Sequence, residues 1–178
     1  RHGAVKYTDY AIDTFLKEAK TKPWFKNTVF IIMSDHCASS AGRWALDVEN
    51  YHIPALIFNI PNIEPKKVDK LCSQIDLFPT LFSALNWDYT SNLFGSNILK
   101  MNHNEERAFI GNYRKLGLLK DNKLMVLGDQ MQSNFYEWDK NDNSLKELPM
   151  NTSFLEQTIS FYQVADYLYS NNGLKIKE

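Results

Sequence analysis

Apolar positions recur along this chain first with a helical period and then in short uninterrupted runs. Between Ala4 and about Lys20, the residues Val5, Ile12, Phe15, Leu16 and Ala19 fall on one side of a helix, and Lys6, Asp13, Lys17 and Lys20 fall on the other. Pro23 closes that pattern, because it has no N–H to donate and clashes with the preceding turn. From Thr28 to Ser34 the chain is β-branched and aromatic without alternation, which predicts an inner strand covered on both faces in a largely parallel sheet. Ile53 to Phe58 predicts a second such strand, with Pro54 at its start, where a missing donor is tolerated. The polar stretch 35–52 between them reads as a long loop with a short helical turn near Trp44–Val48. Long loops in compact domains usually carry function. Residues 67–75 read as helical, and Asp76 reads as the cap of a helix over Leu77–Leu85 with Pro79 in its first turn.

Beyond Gly95 the pattern changes. Ala108–Gly111, Leu116–Leu119, Lys123–Leu127 and Asn134–Trp138 read as short strands, with turns at Asp121-Asn122 and Asn141-Asp142-Asn143. A final amphipathic helix is expected from Ser153 to Tyr169, carrying Leu155, Ile159, Tyr162, Ala165 and Tyr169. The succession is an α/β core over residues 1–100, followed by a small antiparallel sheet and terminal helix over 101–178, within one domain.

Composition narrows the function classes. Eleven Phe, nine Tyr and four Trp among 178 residues are incompatible with disorder. Twenty Lys and Arg balance twenty-one Asp and Glu, so no polycationic surface for nucleic acid is expected. No apolar run is long enough to span a bilayer, and the start at Arg1-His2-Gly3 without Met reads as a piece of a longer protein. Two cysteines, Cys37 and Cys72, do not make a disulfide scaffold, and no zinc-finger spacing links them to His2, His36, His52 or His103.

Asp35-His36 directly follows the first buried strand. Open α/β sheets bind ligands beyond the carboxyl ends of their strands, and a carboxylate beside an imidazole suits a cation such as zinc or manganese. By itself the dipeptide reads rather as a turn cap and a surface histidine, since two-residue matches are common. Cys37 suggests a rival, a thiol nucleophile with His52 as base, although side chains adjacent on extended backbone point apart. His2 and His103 read as surface residues. Phe161, Tyr162, Tyr167 and Tyr169 read as a packing face rather than a sugar platform. Asn151-Thr152-Ser153 matches a glycosylation sequon too short to carry weight.

The run Ser34-Asp35-His36-Cys37-Ala38-Ser39-Ser40-Ala41-Gly42-Arg43 resembles the metal-site loop of the sulfatase and alkaline phosphatase superfamily, closest to the branch of lipoteichoic acid synthases and phosphoglycerol transferases. Tyr7 to Ile12 resembles the helix before the strand, and Tyr51 to Ile57 resembles the next core strand. Gln74-Ile75-Asp76-Leu77-Phe78-Pro79-Thr80-Leu81 is similar to the sulfatase "Asp-x-x-Pro-Thr-Leu" helix, and Leu93 to Leu99 to the glycine-bearing loop before the C-terminal sheet.

The resemblance implies an alkaline-phosphatase-like fold and a metal-dependent enzyme acting on phosphate or sulfate esters, possessing one divalent ion (manganese, zinc, magnesium or calcium). It implies Asp35 and His36 as metal ligands, and Ser39, Ser40 and Arg43 as contacts to the substrate anion, Arg43 through a bidentate pair. It places the nucleophile and a further acidic ligand upstream of Arg1, so that these 178 residues alone should be inactive and bind metal poorly. It also implies an extracytoplasmic domain of a membrane-anchored bacterial protein, with a substrate that is lipid- or glycan-linked. Cys37 to Ala41 does not match the Cys-x-Pro-x-Arg of sulfatase maturation. A non-catalytic interaction module is the alternative, and sheet edges left by a missing N-terminal half would favour self-association.

Overall fold

A computed structural model describes residues 2–37 and 42–176. Helix α1 spans His2–Ala19, strand β1 Phe30–Met33, strand β2 Ala55–Phe58 and helix α2 Leu77–Ala84. Strands β3 (Ala108–Gly111), β4 (Leu116–Lys120), β5 (Lys123–Leu127), β6 (Ser133–Asp139) and β7 (Ser144–Glu147) precede helix α3 (Thr152–Ser170).

The five later strands form an antiparallel meander in chain order, β3-β4-β5-β6-β7. Its tightest hairpin turns on Asp121 and Asn122, both at positive φ, which matches the right-handed twist of the flanking strands. Strand β7 extends the sheet by one strand beyond the sequence expectation, because the turn at Asn141–Asn143 returns the chain along β6.

This sheet is covered on both faces. On one, Phe109 meets Phe161 edge-on at 5.0 Å and Phe135 packs on Phe154 at 5.2 Å, so α3 lies across the strands. On the other, Ala108, Ile110, Leu119, Leu124 and Val126 bury Leu46 and Val48 of the preceding loop. That double coverage explains why β4 and β5 contain continuous apolar runs although their neighbours are antiparallel. Gly117 sits under Leu46, whose Cδ1 would lie 2.8 Å from a Cβ added there. The packing face of α3 runs through Phe154, Thr158, Phe161 and Tyr162. Tyr167 and Tyr169, read from sequence as part of it, are exposed.

Several expectations change. The strands β1 and β2 pair antiparallel, with Ile31 opposite Ile57, and form a two-stranded sheet rather than adjacent parallel strands. Their side chains are only partly covered, and of the expected inner face of α1 only Ala19 is buried. Residues 67–75 form no α-helix. Leu71 N–H donates to Glu106 and Lys70 to the Met101 carbonyl, so contacts from a distant segment tie the chain down. Finally, Asp76 stands at the start of α2 as expected, but its side chain caps no N–H of that helix. Ser73 and Asp76 form a reciprocal capping box around a single tight turn at Gln74–Asp76 that leads into the helix. The short turn in the first loop also falls later than expected, at Val48–Tyr51.

Candidate functional site

Strand β1 delivers the chain to the Asp35-His36 pair. The last ladder bond is Ser34 N–H to the Pro54 carbonyl at 3.3 Å, after which the backbone leaves the sheet. Asp35 Oδ1 accepts from the His36 N–H at 2.9 Å, and His36 Nδ1 lies 2.7 Å from the Cys37 carbonyl oxygen. A carbonyl only accepts, so Nδ1 carries the proton in that contact. The remaining donor atoms, His36 Nε2 and Asp35 Oδ2, face each other at 3.5 Å with both side chains largely exposed.

That geometry fits a cation. With Nδ1 donating to a carbonyl, the atom left facing the Asp35 carboxylate is Nε2, and either a bound cation or a second ring proton makes that contact attractive. Bonds of about 2.1 Å in tetrahedral arrangement would hold such donors about 3.4 Å apart. The hydrogen bond from Nδ1 to a carbonyl is also the kind of outer contact that orients metal-ligating histidines. Among the described residues no group of three or more His, Cys, Asp or Glu could hold a metal ion, so the pair stands without a third ligand there.

Arg43 is placed differently from a free anion receptor. Its Nη2 donates to the carbonyls of Asp142 at 2.6 Å and Asn143 at 3.3 Å, in the β6–β7 turn. Its own N–H donates to Asp47 Oδ2 at 2.7 Å. Trp44 Nε1 adds a donor to the Asn143 carbonyl at 3.0 Å. Ser39 and Ser40 lie outside the described residues. Of the other candidates, His52 is exposed at the end of the Val48–Tyr51 turn, and His103 sits at the surface 3.6 Å from Glu106 and 3.8 Å from Asp121. Cys72 is partly buried, and burial pushes its thiol pKa up, with Asp76 adding to the effect and Arg107 opposing it. Asn151, the first residue of the sequon, caps α3 by accepting from Phe154 N–H at 3.0 Å.

Gln74 is a residue of this site that the sequence reading placed only within a helix motif. Its Nε2 donates to the Ser34 and Asp35 carbonyls, both at 3.1 Å. A glutamine bond across some forty residues has no periodicity or spacing signal.

Known proteins share the fold and part of the sequence of this chain. The Sulfatase family profile matches residues 1–87. The crystal structure of a protein in the alkaline phosphatase superfamily from Vibrio parahaemolyticus superposes over 98% of this chain with a TM-score of 0.89 and 32% sequence identity. The chain is similar to the sulfatase and alkaline phosphatase superfamily in both comparisons. Phosphoglycerol transferase I of Escherichia fergusonii is 44% identical over 41 residues, which are 23% of this chain. The chain spans 43% of the Vibrio protein's chain and 5% of the length of that transferase.

The Asp76-to-Leu81 segment is a structural joint. Asp76 is fully buried and takes a fork from Arg107, with Nη1 to Oδ2 at 2.8 Å and Nη2 to Oδ1 at 2.9 Å. Ser73 N–H and Ser96 N–H also donate to it, each at 2.8 Å. Thr80 Oγ1 donates to the Asp76 carbonyl and accepts from Ile98 N–H. Gly95 passes so close that an added Cβ would fall 2.0 Å from the Ile75 carbonyl oxygen.

Proposed function

We propose that Asp35 and His36 supply two ligands to a divalent cation in an enzyme that transfers or hydrolyses phosphate or sulfate esters, with phosphoglycerol transfer the favoured activity. The observation that carries this reading is the pair of facing donors at 3.5 Å at the end of β1. Similarity to the superfamily and the local match to a phosphoglycerol transferase support it. The ion would be manganese, zinc, magnesium or calcium, given a nitrogen and an oxygen donor in an open position. When bound, it would neutralise charge on the ester oxygens and activate the nucleophile.

This chain's own residues hold and orient. His36 Nδ1 fixes the ring against the Cys37 carbonyl, and the Asp35 carboxylate is tied to the backbone by one oxygen, leaving the other to ligate. The loop of Ser39, Ser40 and Arg43 faces the ester anion in this proposal, Arg43 through guanidinium nitrogens other than the Nη2 bound to the β6–β7 turn. The nucleophile and further acidic ligands come from residues outside these 178. Residues 1–178 then form the C-terminal part of a catalytic domain that acts outside the cytoplasm on a lipid- or glycan-linked ester. Among the described residues no helix is long and apolar enough to cross a membrane.

Manganese titration followed by NMR tests this reading. Selective broadening of the Asp35 and His36 amide signals is expected, and Asp35→Ala or His36→Ala should abolish it. Broadening that ignores both substitutions would sink the assignment.

The outer edges of β1 and β2 are unpaired among the described residues, which supports a second capacity, the addition of a strand from another chain or a second copy.

A further inference from the structure

Strand β1 ends in an awkward place for its backbone. Ser34 still pairs with β2 through its N–H, and the Ser34 and Asp35 carbonyls, at the exposed end of the strand, take their side-chain donor from elsewhere in the chain. Gln74 answers both with one Nε2, at 3.1 Å to each oxygen. The Gln74 side chain is therefore a cross-link between the residues that carry the candidate ligands and a turn about forty positions later.

That turn is unusually well held. Gln74 lies between Ser73 and Asp76, the two partners of the capping box. Asp76 is anchored by the Arg107 fork, and Ser73 Oγ accepts from Phe109 N–H at 2.9 Å, so the turn is bound to the start of β3. Hydrogen bonds thus tie Arg107 to Asp76 and Asp76 to Ser73, and the peptide bond from Ser73 to Gln74 carries the connection to the bonds that Gln74 makes with the backbone of Ser34 and Asp35. We propose that Gln74 is a positioning residue for the Asp35-His36 pair: it transmits the rigidity of the buried Asp76–Arg107 joint to the backbone bearing both donors and so holds Asp35 Oδ2 and His36 Nε2 at ligand spacing. The inference rests on the metal reading above. A glutamine is suited to the task because its carboxamide is neutral and offers two N–H donors at sufficient reach, whereas a lysine or arginine would set a positive charge beside the cation.

The test is the full 178-residue chain with Gln74→Ala and Gln74→Met, titrated with Mn2+ and read by broadening at the Asp35 and His36 amides, with thermal melting alongside. Gln74 is exposed, so both variants should fold with nearly the parent's melting temperature. Loss of an outer-shell contact of this kind weakens metal binding by about 10- to 100-fold. Both variants are expected to lose at least tenfold in Mn2+ affinity and to exchange the amide hydrogens of His36 and Cys37 faster. Parent-like affinity in Gln74→Met would show that the side chain only fills space and would overturn the proposal. So would parent-like affinity in both variants while Asp35→Ala abolishes binding. Failure of Asp35→Ala and His36→Ala to alter the parent's Mn2+ response would instead remove the metal reading, and this inference with it.

Discussion

Asn143 donates from Nδ2 to Asp47 Oδ1 at 2.6 Å, and both side chains are buried although 96 residues separate them. The same asparagine accepts from Trp138 Nε1 at 2.9 Å through its side chain, and its carbonyl receives Arg43 and Trp44. The C-terminal sheet therefore grips the end of the loop that begins at Asp35, while Gln74 grips its start.

Replacing this hub should be costly. Asn143 has φ 56, a left-handed conformation that asparagine tolerates better than alanine. Asn143→Ala also strands the buried Asp47 carboxylate and the Trp138 N–H, so a loss of about 2 to 4 kcal/mol is expected in urea unfolding. Asn143→Gly keeps the backbone conformation and isolates the side-chain share. A loss below about 0.5 kcal/mol in Asn143→Ala would contradict the role assigned here.

The Asp76–Arg107 pair should behave as a buried ion pair rather than a surface one. Arg107→Met leaves a fully buried carboxylate with only its two backbone donors, and a destabilisation of about 3 to 5 kcal/mol is expected from chemical denaturation. The double variant Asp76→Leu/Arg107→Met should recover part of that loss, which a double-mutant cycle would measure.

Tyr162 predicts an alkaline transition. Burial drives its pKa up from 10.0 to about 12, and its O–H donates to the Gly117 carbonyl at 2.8 Å, a bond that only the neutral phenol can make. The folded state thus holds the phenolic proton more tightly than the unfolded chain. Its contribution is complete below pH 10 and is lost as pH rises toward about 12. After discounting for partial exposure, the loss is on the order of 1 to 2 kcal/mol. Tyr162→Phe should flatten this part of the stability profile, and an unchanged slope between those pH values would refute the assignment.

The two-stranded sheet should make the chain associate. Leu56 is 52% exposed and Met33 40%, on strands whose outer edges have no partner among the described residues. Light scattering at rising concentration should show dimers or larger species, and Leu56→Lys should suppress them, since a charge on an exposed edge blocks strand addition. A monomer at every concentration would count against this capacity.

The local punctuation of the chain made much of the fold legible. Asp121-Asn122 and the flanking apolar runs located β4 and β5, and α1 and α3 followed from helical spacing that starts and stops where the structure does. Asp35-His36 was visible as a candidate site because it abuts an unbroken apolar run. Where sequence reasoning failed, the deciding contacts were distant. Residues 67–75 have enough helical character to mislead, but Lys70 and Leu71 are tied to Met101 and Glu106, and only Gln74 and Ile75 enter a helical turn. Asp76 does stand at the start of α2, yet Arg107 draws its carboxylate into the interior, where it accepts from Ser73 N–H instead of capping the helix.

Periodicity and turn chemistry act over a few residues, so the sequence by itself determined which segments become helix or strand and where the candidate donors lie along the chain. Strand direction, the burial of Asp76 and the two grips on the loop, by Gln74 and Asn143, depend on groups some thirty to one hundred positions apart. Only the tertiary structure could decide them, because a hydrogen bond or ion pair of that span forms only once the intervening chain has packed.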